Sequence, residues 1–396
     1  MQFKDILPLS IKMAPYATMI RHELHSVPEL GLEERKTTEI IKRELDKLDV
    51  EYQDVGMDTG VVGLIYGQKP GPSICTAIRA DIDALPIEET SGAEYTSKHI
   101  GKSHACGHDS HTAILLATAK ALCQIRDQFS GVVKLIFQPG EEGLDGARIM
   151  IEHGVLEDPH VDSLIALHCQ PAFSVGKIAI SSGMIMASAD TFRITFRGKS
   201  GHASRPVEGR NALVAACHAV LALQEVVSNE ISTRDEAVVN TTMLNAGTAK
   251  NIIPSTAVLE GTVRCLSRTI RSKCEEAICR ISKCTAEMCR CTVDVEYAHG
   301  IPALANDPET TERLLQAAGK TIGKENVLPL LPVLGGEDFS YYTEVMKRTG
   351  YYRLGCAYPE MKDQPLLHTG RFNFNDDAIP YGIAVHLAYI LQENNS

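Results

Sequence analysis

The segment His104-Ala105-Cys106-Gly107-His108 carries side chains that bind metal ions, and Gly140-Glu141-Glu142-Gly143 follows further along the chain. Cys106 and His108 are two positions apart, so an extended or turning backbone can direct both side chains at one ion. Glu141 and Glu142 are adjacent, and their side chains therefore diverge. One carboxylate can coordinate a metal while the other stays free to carry a proton. Metal-activated water beside a carboxylate base is the usual apparatus for hydrolysing an amide or an ester.

Further candidate ligands stand where α/β proteins build their sites. His168 ends the apolar run Leu164–Leu167, which is typical of a buried strand, and Glu142 lies just past another apolar strand. His368 lies far along the chain. The ends of strands and the adjoining loops are where such sheets place their functional side chains. A single histidine at a strand end is more often structural, but its occurrence together with the paired glutamates indicates a site.

Composition and charge exclude several classes of protein. The 396 residues are 44% hydrophobic and 22% charged, which is typical of an ordinary soluble protein of about two domains. The net charge of -11 argues against a nucleic-acid partner, because such binding depends on phosphate neutralisation by Lys and Arg. The segment Met1–Asp5 leads into mixed polar sequence without the apolar core of a signal peptide. No apolar run approaches the ~18–20 residues that span a bilayer. We therefore expect a cytoplasmic protein with no membrane partner.

Cysteine is frequent, with twelve residues, and we expect these thiols to stay reduced in a cytoplasmic chain. Five of them lie at positions 274, 279, 284, 289 and 291. A spacing of five rotates each side chain by about 140° around a helix, so these cysteines cannot share one face. We interpret them as small residues of a helix rather than as a soft-metal or redox cluster, although the pair at 289 and 291 leaves metal binding open.

The apolar pattern predicts alternating helices and strands in the first 181 residues. Helices are predicted over Ala14–His25, Glu33–Asp46, Thr112–Ile125 and Ala147–His153, and strands over Val61–Tyr66, Ser73–Arg79, Gly131–Gln138 and Ser163–His168. The stretch Gly67–Pro72, rich in Gly and Pro, indicates a hairpin-type connection between the first two of these strands. The apolar run within Gly131–Gln138 suits a strand buried on both faces of a mixed or parallel sheet. This alternation predicts an α/β fold.

The pattern changes near residue 182. The predicted elements are then a strand at Thr191–Arg197, a helix at Asn211–Val227, strands at Glu236–Asn245 and Ala257–Arg264, a helix at Thr269–Cys289 and a strand at Cys291–Tyr297. This β-α-β-β-α-β order is ferredoxin-like. Helices at Pro308–Ile322 and Ala378–Gln392 then resume the first pattern. We therefore predict a discontinuous catalytic domain, residues 1–181 and 298–396, with a twisted mixed sheet flanked by helices. Residues 182–297 form an inserted ferredoxin-like α+β domain.

The motifs, taken in chain order, resemble the metal-dependent aminoacylase/carboxypeptidase superfamily. Within it they are most similar to the branch of hippurate hydrolases, N-acyl-L-amino-acid amidohydrolases and indole-acetyl-amino-acid hydrolases. The matching segments run nearly from end to end and are His22–His25 with Pro28–Leu30, Arg79–Ile87, His104–Thr112, Phe137–Gly143, Ala166–His168, Gly198–Ser204 with Pro206, Asn251–Pro254, Gly335–Phe339 and His368–Asp376.

The resemblance implies a centre of two divalent metal ions per subunit. The residues that match the family's ligands are Cys106, His108, Glu142, His168 and His368, one of them bridging the ions. Glu141 matches the general base and acid. The thiolate at Cys106 departs from the carboxylate that related peptidase branches use, and a softer ligand favours transition metals. The resemblance suggests Mn²⁺, with Zn²⁺, Co²⁺ or Ni²⁺ as substitutes.

The resemblance also implies that the inserted domain is a lid that contacts the substrate and forms a homodimer. His202 would stabilise the oxyanion, and in related proteins this histidine comes from the partner subunit. The alternative for His202 is an ordinary histidine of a surface loop. Asn251 resembles a residue that contacts the substrate, Arg264 is a candidate for binding the substrate's carboxylate, and Gly336 would let the backbone approach the substrate closely.

Several polar residues are expected to support the metal ligands from behind. Asp81 and Asp83 follow a strand two positions apart, so both point to one side. Of these two, Asp83 is the stronger candidate for holding a ligand, and Asp109 is expected to act similarly. The alternative is that both are ordinary loop carboxylates whose hydrogen bonds are satisfied locally, with no role in holding the metal ligands. His111 is expected to lie at a helix N-terminus or behind the ligands rather than among them.

We therefore predict a metal-dependent hydrolase that cleaves the amide bond of N-acyl-L-amino acids, which are small molecules, to a carboxylic acid and a free amino acid. Two alternatives stay open. One is a dipeptidase or carboxypeptidase of the same superfamily, which would need room for a charged amino group on the acyl side. The other is a non-catalytic metal-binding protein on the same scaffold. The intact Glu141 beside a complete ligand set weighs against the second alternative. No motif reports the acyl group.

Overall fold

The computed structural model of the chain describes residues 1–395. Its helices are α1 (Phe3–His25), α2 (Arg35–Lys47), α3 (His108–Gln124), α4 (Gly146–Glu152), α5 (Ala212–Glu225), α6 (Arg268–Met288), α7 (Pro308–Ile322), α8 (Ser340–Val345) and α9 (Ile379–Glu393). Its strands are β1 (Glu51–Gln53), β2 (Val61–Tyr66), β3 (Cys75–Asp81), β4 (Val132–Gln138), β5 (Ser163–Ser174), β6 (Ile178–Ala179), β7 (Gly183–Met186), β8 (Ser188–Arg197), β9 (Gly201–His202), β10 (Ala237–Ala246), β11 (Ile252–Ile253), β12 (Thr256–Cys265), β13 (Thr292–Ala298), β14 (Leu304–Asn306), β15 (Val327–Leu328) and β16 (Thr349–Ala357).

The chain divides into two compact units. The first contains Met1–Gly183, Asn306–Leu331 and the chain from Tyr341 onward, and the second contains Met184–Ala305 and Pro332–Ser340. The division predicted from sequence instead placed residues 332–340 in the catalytic domain. This stretch belongs to the second unit because its backbone pairs there. Val333 N donates to Ile185 O at 3.0 Å, and Ala187 N donates to Gly335 O at 3.0 Å.

A mixed sheet with the strand order β1-β2-β4-β3-β5-β16-β6-β15 forms the centre of the first unit. Strand β3 runs parallel to both β4 and β5, whereas β2 is antiparallel to β4. Every residue of β3 is buried, as expected for a strand covered on both faces. Helices α1, α3, α7 and α9 pack on one another and α3 packs on the sheet. The predicted mixed sheet flanked by helices is confirmed.

The predicted hairpin between β2 and β3 is wrong, because β4 lies between these two strands. The connecting loop runs past the start of β4, where Gly67 N donates to Gly131 O at 2.9 Å and Lys69 N donates to Phe129 O at 3.1 Å. Strand β4 is apolar and buried along almost its whole length. Such a strand needs a partner on each edge, and β2 and β3 supply them.

Helix α1 is longer than predicted, since it begins at Phe3 rather than at Ala14. Both Pro8 and Pro15 lie inside it. A proline removes a backbone hydrogen bond and usually ends or kinks a helix. The helix continues here because its apolar face is buried, with Ile6 only 1% exposed.

The second unit has a four-stranded antiparallel sheet in the order β10-β12-β8-β13. Helices α5 and α6 pack against it, so the elements follow the predicted β-α-β-β-α-β order. Along β8, Phe192, Ile194 and Phe196 point into the core, and Thr191, Arg193 and Arg197 between and beyond them are exposed. The predicted ferredoxin-like architecture is confirmed.

Helix α5 and the turn that continues it to Glu230 are long and apolar enough to cross a membrane by length and composition alone. However, Ala215, Ala219 and Leu223 are fully buried in the core of the second unit. The helix therefore buries one face in the core of this unit, while Val214 and Leu221 on it stay exposed. On the neighbouring α6, Cys274 is buried and Cys284 is exposed, as the spacing of five predicts.

Candidate active site

The structure brings the five predicted metal ligands together in the first unit. Cys106 precedes α3, His108 is the first residue of that helix, and His168 lies on β5. Glu142 follows the end of β4, and His368 lies in the loop between β16 and α9. Strands β3, β4 and β5 are parallel, so their carboxyl ends meet at one edge of the sheet. The candidate ligands lie together because they are on parallel strands of this sheet, or on the loops and the helix that follow their carboxyl ends.

Cys106 is the residue that joins the ligand set. Its Sγ lies 3.3 Å from Nε2 of His168 and 3.3 Å from Nε2 of His368. His368 Nε2 in turn lies 3.2 Å from Glu142 Oε1. The groups of ligand atoms that lie within 4.8 Å of one another include three made up of predicted site residues alone, which are Cys106 with His108 and His168, Cys106 with Glu142 and His368, and His108 with Glu141 and Glu142. The candidate base Glu141 is therefore part of the same assembly.

Two of the histidines are oriented through hydrogen bonds of their Nδ1 atoms. His168 Nδ1 lies 2.7 Å from the carbonyl oxygen of Cys169, so Nδ1 carries the proton and Nε2 has a free lone pair. His108 Nδ1 lies 3.0 Å from Asp83 Oδ1, which orients this ring. Burial opposes the charged form of His108, but Asp81 raises its pKa well above the usual range, so a bound cation would displace a proton from this ring. Complete burial keeps the pKa of His168 well below its usual range, and the charge of Arg353 adds to this effect. His168 therefore stays neutral.

The donor set fits a divalent transition metal. His108 Nε2 is buried and has no hydrogen-bond partner, although an unpaired buried nitrogen is unfavourable unless a ligand satisfies it. The neighbouring donors are a thiol, imidazole nitrogens and a carboxylate, which together suit Zn²⁺ and its neighbours in the transition series. Cys106 is only 6% exposed, and burial raises the pKa of its thiol, so a bound cation would be needed to hold it as a thiolate.

Asp83 contacts two of the predicted ligands. Besides holding His108 through Oδ1, its Oδ2 accepts a hydrogen bond from the backbone N–H of Glu142 at 2.9 Å. The carboxylate is 1% exposed. Asp83 therefore fixes His108 and Glu142 relative to each other, which is the supporting position expected from the sequence.

His111 lies behind the ligands and has no nitrogen left for a metal. Its Nε2 accepts the backbone N–H of Cys169 at 2.9 Å, and its Nδ1 lies 2.5 Å from Asp81 Oδ1. Burial disfavours the charged form of Asp81, but His108, His111 and Arg79 hold the pKa of this carboxyl well below its usual range. Asp81 is thus an anion that orients His111.

Asp109 makes its contacts away from the predicted ligands. Its Oδ2 accepts from Arg21 Nη1 at 3.1 Å and lies 2.7 Å from His25 Nδ1. His25 Nε2 lies 3.1 Å from Glu89 Oε1. Asp109 thus connects the first turn of α3 to α1 through a buried ionic network. It supports His108 only indirectly, by holding the helix that begins with His108 in place.

In the second unit, the structure places His202 and Asn251 together on the short ribbon of β9 and β11, where His202 pairs with Ile252. His202 Nδ1 accepts the backbone N–H of Ser204 at 3.1 Å. An N–H group can only donate, so the imidazole proton sits on the exposed Nε2. Asn251 immediately precedes β11, and its carbonyl oxygen accepts from Ala203 N at 3.0 Å. His202 therefore presents a hydrogen-bond donor outward.

Arg264 lies on β12 of the four-stranded sheet, near the end of that strand that is far from the β9–β11 ribbon, and Gly336 lies close to the same end. Arg264 is paired with Ala189 in the register of β12 and β8. A Cβ on Gly336 would lie 3.7 Å from the Cβ of Ala189 and 2.3 Å from the end of the Ile301 side chain, so a larger residue there requires Ile301 to move. From Thr256, next to the β9–β11 ribbon, to Arg264 the strand rises by about 26 Å. One copy of this unit therefore holds its two sets of predicted substrate contacts at opposite ends.

Residues 77–392 match the sequence profile of the peptidase family M20/M25/M40. The chain belongs to this family. The family predicted from the order of the motifs is therefore confirmed, and the protein is a hydrolase of the M20 type.

Individual relatives agree with this assignment. The chain is 36% identical over 388 residues to thermostable carboxypeptidase 2 of Saccharolobus solfataricus, which covers 95% of both chains. It is 40% identical over 326 residues to an N-acetylcysteine deacetylase of Bacillus subtilis, which covers 82% of this chain and 84% of the relative. A crystal structure of a Bacillus subtilis protein described as a dinuclear metal-binding peptidase of the M20 family superposes with a TM-score of 0.82 at 33% identity, covering 97% of this chain and 99% of the other.

Two buried residues of this M20 site were not predicted from sequence. Glu34 Oε1 accepts the backbone N–H of Gly140 at 2.8 Å, next to the candidate base. His104 is 1% exposed, both of its ring nitrogens are without hydrogen-bond partners, and burial lowers its pKa to about 4. Both residues lie inside or just after motif segments, and this position was the only signal that the sequence offered for them.

Replacing Asp83 with alanine should weaken metal binding by about 10–100-fold, because His108 and Glu142 lose the carboxylate that orients them. Competition with a chromophoric chelator measures the affinity directly. Asp58→Ala is the matched control, since Asp58 pairs with Arg35 on the surface. Equal metal affinities in the two variants would show that Asp83 does not support the ligands.

The buried pair of His25 and Asp109 should make stability depend on pH. Burial opposes the charged imidazole, yet Asp109 raises the pKa of His25 from 6.5 to about 9. A raised pKa in the folded state stabilises below the unfolded value, and the contribution is lost as pH rises towards the folded value. The extra stability of the wild type over His25→Gln should therefore shrink between pH 6.5 and pH 9. Urea unfolding of both proteins across this range measures it, and a constant difference would exclude the linkage.

Proposed function

We propose that this protein is a metal-dependent amidohydrolase that cleaves the amide bond of N-acyl-L-amino acids to give a carboxylic acid and a free amino acid. The observation that carries the proposal is the grouping of Glu141 with Glu142 and His108, directly beside the ligands joined by Cys106. A carboxylate beside the ligand set is the proton carrier that such hydrolysis needs. The relative named N-acetylcysteine deacetylase supports an N-acyl amino acid as substrate.

Cys106, His108, Glu142, His168 and His368 would hold two divalent ions, in keeping with the structural neighbour described as dinuclear. When bound, such ions polarise the scissile carbonyl and lower the pKa of a water molecule between them. We propose Mn²⁺ as the native ion, with Zn²⁺, Co²⁺ or Ni²⁺ as substitutes.

Glu141 would move the proton that the reaction requires. It takes a proton from the attacking water as the water oxygen bonds to the carbonyl carbon. It then gives this proton to the amide nitrogen, the C–N bond breaks, and the amino acid leaves as a neutral amine. Glu141 is partly exposed beside Glu142, so a substrate can reach it.

We further propose that the enzyme works as a homodimer. His202 has its donor on the exposed Nε2, which suits stabilisation of the oxyanion, and Arg264 is suited to the substrate's carboxylate. A small N-acyl amino acid is much shorter than the stretch of β12 that separates these two residues. In a homodimer, both sets of residues could contact one substrate, because one subunit would supply Arg264 and Gly336 and its partner would supply His202 and Asn251.

A carboxypeptidase or dipeptidase is the second candidate, and the relative named thermostable carboxypeptidase 2 favours it. The two candidates differ in whether the acyl side carries a free amino group. A non-catalytic metal-binding scaffold is disfavoured because Glu141 is present and placed beside the ligands. We also propose that the protein acts in the cytoplasm, where its twelve free cysteines would stay reduced.

The test is release of free amino acid from a panel of N-acetyl, N-benzoyl, fatty-acyl and indole-acetyl amino acids alongside dipeptides with the same C-terminal residues. Faster turnover of the N-acyl compounds supports the proposal. Turnover of the dipeptides alone would favour the peptidase, and no turnover at all would favour the scaffold.

A further inference from the structure

The turn that carries Glu141 is held by two buried carboxylates, one on each side of it. The backbone N–H of Gly140 donates to Glu34 Oε1 at 2.8 Å, and that of Glu142 donates to Asp83 Oδ2 at 2.9 Å. Glu141 lies between these two anchored residues. Its side chain therefore depends on both hydrogen bonds for its direction.

Glu34 reaches this turn from a distant part of the chain, and the side chain of Thr59 also donates a hydrogen bond to its carboxyl. Glu34 precedes α2, but its side chain makes no capping hydrogen bond to that helix. The carboxyl is fully buried and is directed instead at a residue 106 positions further along the chain. Gly140 has a φ of 65°, which lies in the left-handed region that favours glycine.

The surrounding chain leaves little space for the turn to move. A Cβ on Gly31 would lie 3.0 Å from Gly140 Cα and 3.4 Å from Asp83 Oδ2. Gly140 O also accepts from Gly146 N at 3.0 Å, at the start of α4. Losing the acceptor at Glu34 would leave the buried N–H of Gly140 unpaired, and the turn would shift to satisfy it.

We propose that Glu34 is a positioning residue that fixes the direction of Glu141 through the backbone of Gly140. This inference rests on the proposed role of Glu141 as base and acid. Glu34 is not itself a catalytic residue, because the residues between it and the reacting atoms are those of the turn.

The charge of Glu34 is not what the role requires. Burial raises the pKa of Glu34 to about 7, and the charge of Asp83 contributes to this shift. A carboxyl oxygen accepts the N–H of Gly140 whether the group is ionised or neutral. What matters is that an oxygen reaches Gly140.

Two substitutions separate reach from charge. Glu34→Gln keeps the side-chain length and an acceptor oxygen but removes the charge. Glu34→Asp keeps the charge but is one methylene shorter, so its oxygens withdraw from Gly140. We expect E34Q to retain kcat, and E34D to lose about 10²-fold in kcat with KM unchanged, as a misplaced catalytic group does. Bound metal should be the same in both variants.

A double mutant shows whether the effect passes through Glu141. In a Glu141→Gln background, E34D should produce no further loss of the residual activity, because the group that it positions is already disabled. A further loss as large as that in the wild-type background would overturn the proposal. So would equal impairment of E34Q and E34D, or a loss of metal from E34D. If E34D fails to fold, E34Q decides the question, since a fall in its kcat contradicts the proposal.

Hydrogen exchange distinguishes failure of this proposal from failure of the proposed function. Amide exchange in the peptide covering residues 140–143 should speed up in E34D and stay slow in E34Q. This readout needs no substrate. A wild-type protein inactive on every substrate would refute the amidohydrolase, while unchanged exchange in E34D would refute the role of Glu34.

Discussion

Replacing Glu141 by glutamine should lower kcat by about 10²–10⁴-fold, the range that a general base or acid contributes. The amide cannot take a proton from water or return one to the leaving nitrogen. The metal ligands are untouched, so the variant should bind as much metal as the wild type. Steady-state rates with the best substrate of the panel, together with elemental analysis of bound metal, measure both quantities.

The control for this substitution is Glu152→Gln. Glu152 lies at the end of α4 and pairs with Arg148 on the surface, so its loss should change neither quantity. Substantial activity in Glu141→Gln would contradict the assigned role. Loss of metal from it would instead make Glu141 a ligand.

Replacing Cys106 by alanine should abolish activity by removing metal. Its Sγ contacts both His168 and His368, so it joins the two groups of ligands. We expect the metal affinity to fall by more than the about 10–100-fold that the loss of a supporting residue causes. Titration of the chelator-stripped protein, followed by calorimetry, measures this affinity.

Cys75→Ala provides a thiol control, because Cys75 is equally buried but lies at the start of β3, at the other end of that strand from the site. It should bind metal as the wild type does. Cys106→Asp should restore binding with a preference shifted towards harder ions such as Mn²⁺, since a carboxylate replaces a soft thiolate. Unaltered affinity in Cys106→Ala would show that the thiol is not a ligand.

The sequence predicted much of the fold because much of it is local. Helix α7 occupies the predicted range Pro308–Ile322, where the apolar period, the capping residue Asp307 and the proline at the first helical position agree. The strand order of the ferredoxin-like unit follows from its sequence of elements. Local patterns do not report which strands become neighbours, and this is why the interior position of β4 between β2 and β3 was missed.

The same distinction holds at the site. The grouping of the candidate ligands around Cys106 and Glu142 was predictable, because their residue types and spacing are typical of metal chemistry. Glu34 and the link from Arg21 to Asp109 were not, because each depends on a contact between residues far apart in the chain. A buried carboxylate that holds a backbone N–H has no sequence pattern of its own. Such residues become visible only once the fold brings their partners together.

The decisive measurement is the rate of amino-acid release as metal is returned to chelator-stripped protein. We expect the stripped protein to be inactive, and its activity on an N-acyl amino acid to rise with added metal until two ions are bound per chain. A stripped protein as active as the untreated one would refute a metal-dependent amidohydrolase, and so would full metal occupancy without any release of amino acid.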